Sequence, residues 1–322
     1  MKKNRIVVYF ASCFRKFSKG DFFMLFGILC LVITGIIWVI PGAIISHSAK
    51  KGLSLDFIQG MAGAVFILLA VPLYFWGSTR FPLITWLVLP ASGILNYLCF
   101  SAAGKAMKKG PSGLTWAMMQ SSFIMPFLMG VIFFHVPSSI WRWSGLAVMV
   151  AAMYFMGQGG GAGTEEEGKS ENSGKGGWLF YSVLAFVCAG LSQCCFTLPS
   201  YFLEEGGSGI ESIISRCGIN SIGVVGIFLC SRLWNKNSFN GKGTFVSIVL
   251  LFLTSLVAMI TVLTGLDTLV ACNAGAIGYP ISLGTTIASF LIYTSLRLKE
   301  RLSWAGLTGV GVCFAGIILL AM

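Results

Sequence analysis

Residues 22–46 read FFMLFGILCLVITGIIWVIPGAIIS, an apolar run without a single charge. An α-helix rises about 1.5 Å per residue, and about 20 apolar residues cross the hydrocarbon core of a bilayer. This run is long enough to cross. Nine more apolar stretches follow: Leu55–Trp76, Leu83–Ala103, Leu114–Phe134, Trp143–Met156, Trp178–Pro199, Ile210–Leu229, Phe245–Leu266, Cys272–Leu296 and Trp304–Met322. Together they occupy about two thirds of the 322 residues and leave no intervening stretch long enough for a soluble domain. The fold class expected is an all-α integral membrane protein with ten transmembrane helices. Trp76, Trp141, Trp143, Trp178, Trp234 and Trp304 fall near the span ends, where an aromatic belt belongs.

The composition agrees. The chain is 56% hydrophobic and 10% charged, whereas a soluble domain carries about 25% charged residues. The net charge of +11 sits in the N-terminal tail and short loops. It reads as topology and anionic-lipid contact, and no continuous basic face suggests nucleic acid. Nine of the ten cysteines lie in apolar stretches, with no CxxC pair and no Cys/His cluster, so no metal site is expected. No nucleophile–base constellation or pair of deep carboxylates points to an enzyme, and no cofactor is expected.

The chain divides into a basic tail at 1–21, a first half at 22–158, a polar Gly/Ser/Glu-rich linker at 159–177 and a second half at 178–322. The halves align. A shift of 155 places Leu29, Val32 and Gly35 on Leu184, Val187 and Gly190, and Asp56, Ile58 and Gly63 on Glu211, Ile213 and Gly218. Near the ends the shift becomes 161, and Trp143–Leu146 (WSGL) meets Trp304–Leu307 (WAGL). Each half has five spans. An odd number makes the second half insert upside down, so two inverted five-helix repeats are expected.

The segment Gly278–Thr286 (GYPISLGTT), the turn Leu298–Leu302 (LKERL) and Trp304–Gly309 (WAGLTG) follow one another. Here the chain resembles the drug/metabolite transporter superfamily in its ten-helix EamA-like form, with a proline-bearing ninth helix, a Glu-Arg-Leu turn and a glycine-bearing last helix. Pro126 and Trp143–Gly145 echo it in the first half, without the acidic residue. Gly93–Tyr97 (GILNY) is loosely similar to the rhamnose–proton symporter branch. The resemblance implies a transporter with both termini cytoplasmic. The small multidrug relatives use a membrane-embedded glutamate in the first helix. The first span here has no carboxylate, so that coupling mechanism does not carry over.

Arg216 is the one charge well inside a span. At mid-membrane an arginine costs at least about 2.5 kcal/mol on insertion scales, so it needs a partner or a watery cavity. Ser212 and Asn220 lie four residues to either side, on one helical face. The stripe either faces a central cavity, with Arg216 anchoring an anionic or strongly polar group, or holds a structural pair with Glu211 or Asp267. Gln193 corresponds to Trp38 under the 155 shift. Asn96, Trp116, Gln120 and Tyr279 complete a candidate substrate-binding set of eight: Trp38, Asn96, Trp116, Gln120, Gln193, Arg216, Asn220 and Tyr279. These are large polar or amphipathic groups within spans, where lipid would leave their hydrogen bonds unmet.

The expected function is secondary transport of a small polar organic solute by alternating access, as a monomer or homodimer in an inner or plasma membrane. A proton-coupled sugar symporter is the alternative within transport. A non-transporting membrane scaffold or sensor is the alternative outside it. The loop charges conflict with a cytoplasmic tail: 8 Lys/Arg share the tail's side and 13 lie opposite. The first helix usually dominates orientation, and translocating the six charges of the tail is unfavourable, so both termini are expected to be cytoplasmic.

Overall fold

The computed structural model describes residues 19–76, 81–134, 139–159, 175–201, 210–234, 241–271, 278–300 and 303–321. Among them the chain is all helical. The helices are α1 (Lys19–Ile37), α2 (Val39–Lys51), α3 (Leu55–Trp76), α4 (Leu83–Lys109), α5 (Ser112–Gln120), α6 (Ile124–Phe133), α7 (Ile140–Gly159), α8 (Lys175–Thr197), α9 (Ile210–Trp234), α10 (Gly241–Ala271), α11 (Gly278–Arg297) and α12 (Trp304–Ala321). Seven of the helical stretches described are long and apolar enough to cross a membrane, and the apolar helices Ile140–Met156 and Trp304–Leu319 are shorter. Leu68, Phe75, Leu83, Leu296 and Trp304 are largely exposed on the outside of the bundle. Water would penalise so much apolar surface, and a bilayer does not. The protein is an all-α membrane protein.

Two expected spans carry a local irregularity, the single turn residue Trp38 in one and the 3-10 turn Ser121–Phe123 in the other, for a local reason. Proline lacks the N–H that would bond the carbonyl four residues back. Pro41 therefore releases the carbonyl of Ile37, and α1 gives way to α2 at Trp38. Pro126 releases Ser122, inside the 3-10 turn Ser121–Phe123 that separates α5 from α6. The linker expected at 159–177 begins inside α7, and Lys175–Gly177 already belong to α8. Residues 160–174, and the tail up to residue 18, lie outside the described residues.

Hydroxyls within the helices satisfy themselves locally. Thr34, Thr115, Ser121, Ser221, Thr261 and Thr286 each donate to the carbonyl four residues back, at 2.8–3.0 Å. This is how a polar side chain is tolerated where no water reaches.

Glycines set the helix crossings. A Cβ on Gly93 would overlap the backbone carbonyl oxygen of Asn220, and one on Gly223 that of Pro90, so α4 and α9 cross in direct backbone contact. Gly27 and Gly265 face each other's carbonyls where α1 meets α10. Gly35 packs on Ser282 and Thr285 of α11, and Gly190 on Met125 of α6. Gly63 packs on Val224 and Val225 of α9, and Gly218 on Ala70 of α3.

The running sense of the pairs follows from such contacts. α3 and α9 are antiparallel, with Gly60 on Phe228 and Ala70 on Gly218. α7 and α12 are antiparallel, with Met156 on Gly309 and Met149 on Gly316. α1 and α10 are antiparallel, with Gly27 on Gly265 and Thr34 on Thr261. So are α4 and α8, with Ser92 on Ser192 and Cys99 packed in one cluster with Cys188.

Candidate functional site

A cavity of about 150 Å³ lies in the middle of the bundle. It is walled by the α1/α2 break, α4, the end of α5, and parts of α8, α9, α10 and α11. Its polar lining comprises the amides of Asn96, Gln120, Gln193 and Asn220, the hydroxyls of Ser92, Ser192, Thr197 and Ser282, and the Trp38 indole. The apolar lining includes Phe100, Met119, Phe196, Met259, Val262 and Leu263. No Asp, Glu, Lys, Arg or His is among the described lining residues.

The structure thus brings Trp38, Asn96, Gln120, Gln193 and Asn220 to one cavity and leaves two of the expected residues out of its lining. Trp116 is fully buried. Its ring packs on Phe290 with centroids 5.1 Å apart, inside the apolar cluster that also holds Ile45, Ala103 and Met107. α5 is buried on every face, so a tryptophan there fills core. Arg216 is buried, 8% exposed, and engaged within the protein, but does not line the cavity. α9 meets the cavity at Asn220, next to its tight crossing with Gly93, and Arg216 sits one turn away from that crossing. The Tyr279 side chain lies outside the described residues.

Much of the lining is bonded to itself. Ser92 Oγ donates to the Ser192 carbonyl and Ser192 Oγ to the Ser92 carbonyl, each at 2.9 Å, which brings the two hydroxyls to 3.0 Å. Gln193 Nε2 donates to Ser122 Oγ at 3.1 Å, and Thr197 Oγ1 donates to the Gln193 carbonyl at 2.9 Å. Gln193 Oε1 and Asn220 Oδ1 are buried without a hydrogen-bond donor among the described residues. Such an orphaned acceptor costs ~1–3 kcal/mol.

Contacts flank the cavity toward both faces. On one face α11 ends in a reversal with Lys299 in the left-handed region, φ 54°. Glu300 N donates to the Thr294 carbonyl at 3.3 Å, closing the reversal after the helix. That turn aims the Glu300 carboxylate at the start of α5. Its Oε1 accepts from Ser112 N at 3.2 Å and its Oε2 from Gly113 N at 3.1 Å. Lys50 Nζ pairs with Oε1 at 3.2 Å. A negative charge suits the positive end of a helix whose first N–H groups have no partner inside it. On the same face Trp178 Nε1 donates to Thr115 Oγ1 at 2.8 Å. Toward the other face Phe81, Leu89 and Ile219 form an apolar cluster with Tyr74 and Phe196.

A larger cleft of about 460 Å³ is lined by residues that include Asp56, Ser101, Lys105 and Lys108. All its lining residues come from α2, α3, α4 and the turn between α2 and α3. It lies wholly in the first half of the chain.

Sequence reasoning missed Met259, Val262 and Leu263 of α10, which carry no signal: an apolar residue lining a cavity looks like one facing lipid. Ser92 carries only the signal of a polar residue within a span.

No protein-family model matches the chain, and no curated protein matches it in sequence. Its fold is similar to solved structures. One is the crystal structure of a protein 12% identical, with a TM-score of 0.58 over 90% of this chain and 94% of the other. Nearly the whole chain is therefore one recurring architecture.

Proposed function

We propose that this protein is a secondary transporter of a small polar organic solute, working by alternating access between two inverted five-span repeats. The carrying observation is the polar cavity at mid-bundle, walled by helices of both halves and flanked on either side by contacts between them. In an inverted repeat, corresponding spans run in opposite directions. The antiparallel pairs α3/α9 and α7/α12 are spans two and seven, and five and ten, of that scheme. Two further packings survive exchange of the halves: α1 on α10 answers α8 on α4, and α1 on α11 answers α8 on α6. Gly35 and Gly190, equivalent by the 155 shift, make equivalent contacts, as do Gly63 and Gly218.

The likeness to ten-helix EamA-like transporters belongs to this reading. It rests on the ninth-helix, turn and last-helix motifs, and it places both termini in the cytoplasm. Terminal reporter fusions active on the outer side would reverse the orientation. The transport reading is tested in oriented proteoliposomes by labelling a cysteine introduced at Asn96 with an impermeant thiol reagent. A transporter gives labelling from each side in turn as conditions change. A scaffold or sensor gives labelling from one side only, or none.

A further inference from the structure

The cavity carries an inference about the class of solute, and it rests on the transport reading. Every polar group among its described lining residues is neutral, and four are carboxamides. The serine pair and the Gln193 N–H group are already bonded within the protein. Two carbonyl oxygens are not. Gln193 and Asn220 are lining residues, and their amide oxygens, Oε1 and Oδ1, are buried and accept nothing from any described residue. A carbonyl oxygen can only accept, so the missing partner is a donor. An ion entering here sheds its water and meets no opposite charge, which is unfavourable in a low-dielectric site. A neutral solute loses far less. The volume of about 150 Å³ matches a cavity that takes one benzene ring.

We infer that the solute is uncharged, about the size of a single six-membered ring, and carries at least two N–H or O–H donors that bond Gln193 Oε1 and Asn220 Oδ1. Trp38, Phe100 and Phe196 supply apolar wall against which the ring packs. A pyranose monosaccharide and a nucleobase share this chemistry, and both differ from the anion that an Arg216 anchor would select.

The test is thermal stabilisation of the purified full-length chain in lipid nanodiscs, read beside counterflow in proteoliposomes. One arm uses uracil, its carboxylated anion orotate, and 1,3-dimethyluracil, which has no donors. The other uses D-glucose and its anion glucuronate. The expected result is stabilisation and counterflow by uracil or by glucose, whichever ring the site takes, with no response to orotate, glucuronate or dimethyluracil. Asn220→Leu and Gln193→Met each keep the approximate side-chain size and remove the acceptor. Each is expected to weaken binding of the responding ring by ~tenfold or more, the worth of one buried hydrogen bond. Asn220→Leu is not expected to lower the melting temperature of the empty protein, since it removes an orphaned acceptor, whereas Gln193→Met also removes the Nε2 bond to buried Ser122 and is expected to lower it. A preference for an anion, no response to either neutral ring, or unchanged affinity in both variants overturns the inference. Counterflow of the anions alone would leave the transport reading standing and remove this one. Neutral-ring stabilisation without counterflow would do the reverse.

Discussion

Replacing Glu300 by Gln tests whether the carboxylate at the start of α5 holds one face of the molecule closed. The carboxylate makes three contacts: to Ser112 N, to Gly113 N and to Lys50. Glutamine keeps one carbonyl oxygen and loses the charge. A charge at a partly buried helix N-terminus is worth up to ~2 kcal/mol. The Lys50 side chain is 45% exposed, so that pair adds at most ~1 kcal/mol after screening. A loss of about 2 kcal/mol corresponds to ~30-fold in a two-state equilibrium. The assay is alkylation of Cys99, which lines the cavity and is 1% exposed. Reagent is added from the Glu300 side and modification is read by mass spectrometry. If opening precedes modification, the rate follows the open population, and Glu300→Gln raises it by ~30-fold. A lowered melting temperature with an unchanged alkylation rate would refute the reasoning, because Glu300 would then be a helix cap and nothing more.

Gly93→Ala drives a methyl group into the Asn220 carbonyl at the α4/α9 crossing, and overpacking of this kind costs ~1–3 kcal/mol, visible as a lower melting temperature in detergent. Trp116→Phe removes an indole N–H that is buried without a partner among the described residues, so the variant is expected to be as stable as the parent or more so. Trp178→Phe removes a 2.8 Å bond to Thr115 and is expected to lose ~1 kcal/mol; equal melting temperatures for the two tryptophan variants would contradict both assignments. Arg216→Ala is expected to reduce folded yield and melting temperature by breaking a buried charge's contacts, at ~3–5 kcal/mol, while ligand affinity of the surviving folded fraction stays unchanged. Normal stability with lost binding would restore Arg216 as an anchor.

The candidate site was legible in part. Trp38 and Gln193, matched through the 155 shift, both line the cavity, and so do Asn96, Gln120 and Asn220. A neutral polar side chain kept within an apolar span needs something other than lipid, and that requirement is visible in one dimension. Trp116 and Arg216 show where such reasoning stops. An indole is at home in a core, at an interface or beside a ligand, and only the Phe290 contact places it in the core. The i, i+4 rule put Ser212, Arg216 and Asn220 on one face, but a straight helix crosses a compact cavity for about one turn. The Gly93 contact decides which turn that is.

The sequence by itself determined that the protein is helical and lies in a membrane, because length and apolarity are local quantities set against a bilayer of fixed thickness. It did not determine where helices are interrupted, since Pro72 and Pro90 stand inside continuous helices while interruptions lie just before Pro41 and Pro126. Only the tertiary structure decided which faces meet, that the Glu300 turn caps α5, and that two residues lining an uncharged cavity hold amide oxygens without a donor. Those facts depend on crossings between segments a hundred or more residues apart, where the close approach of two backbones at a glycine fixes the register.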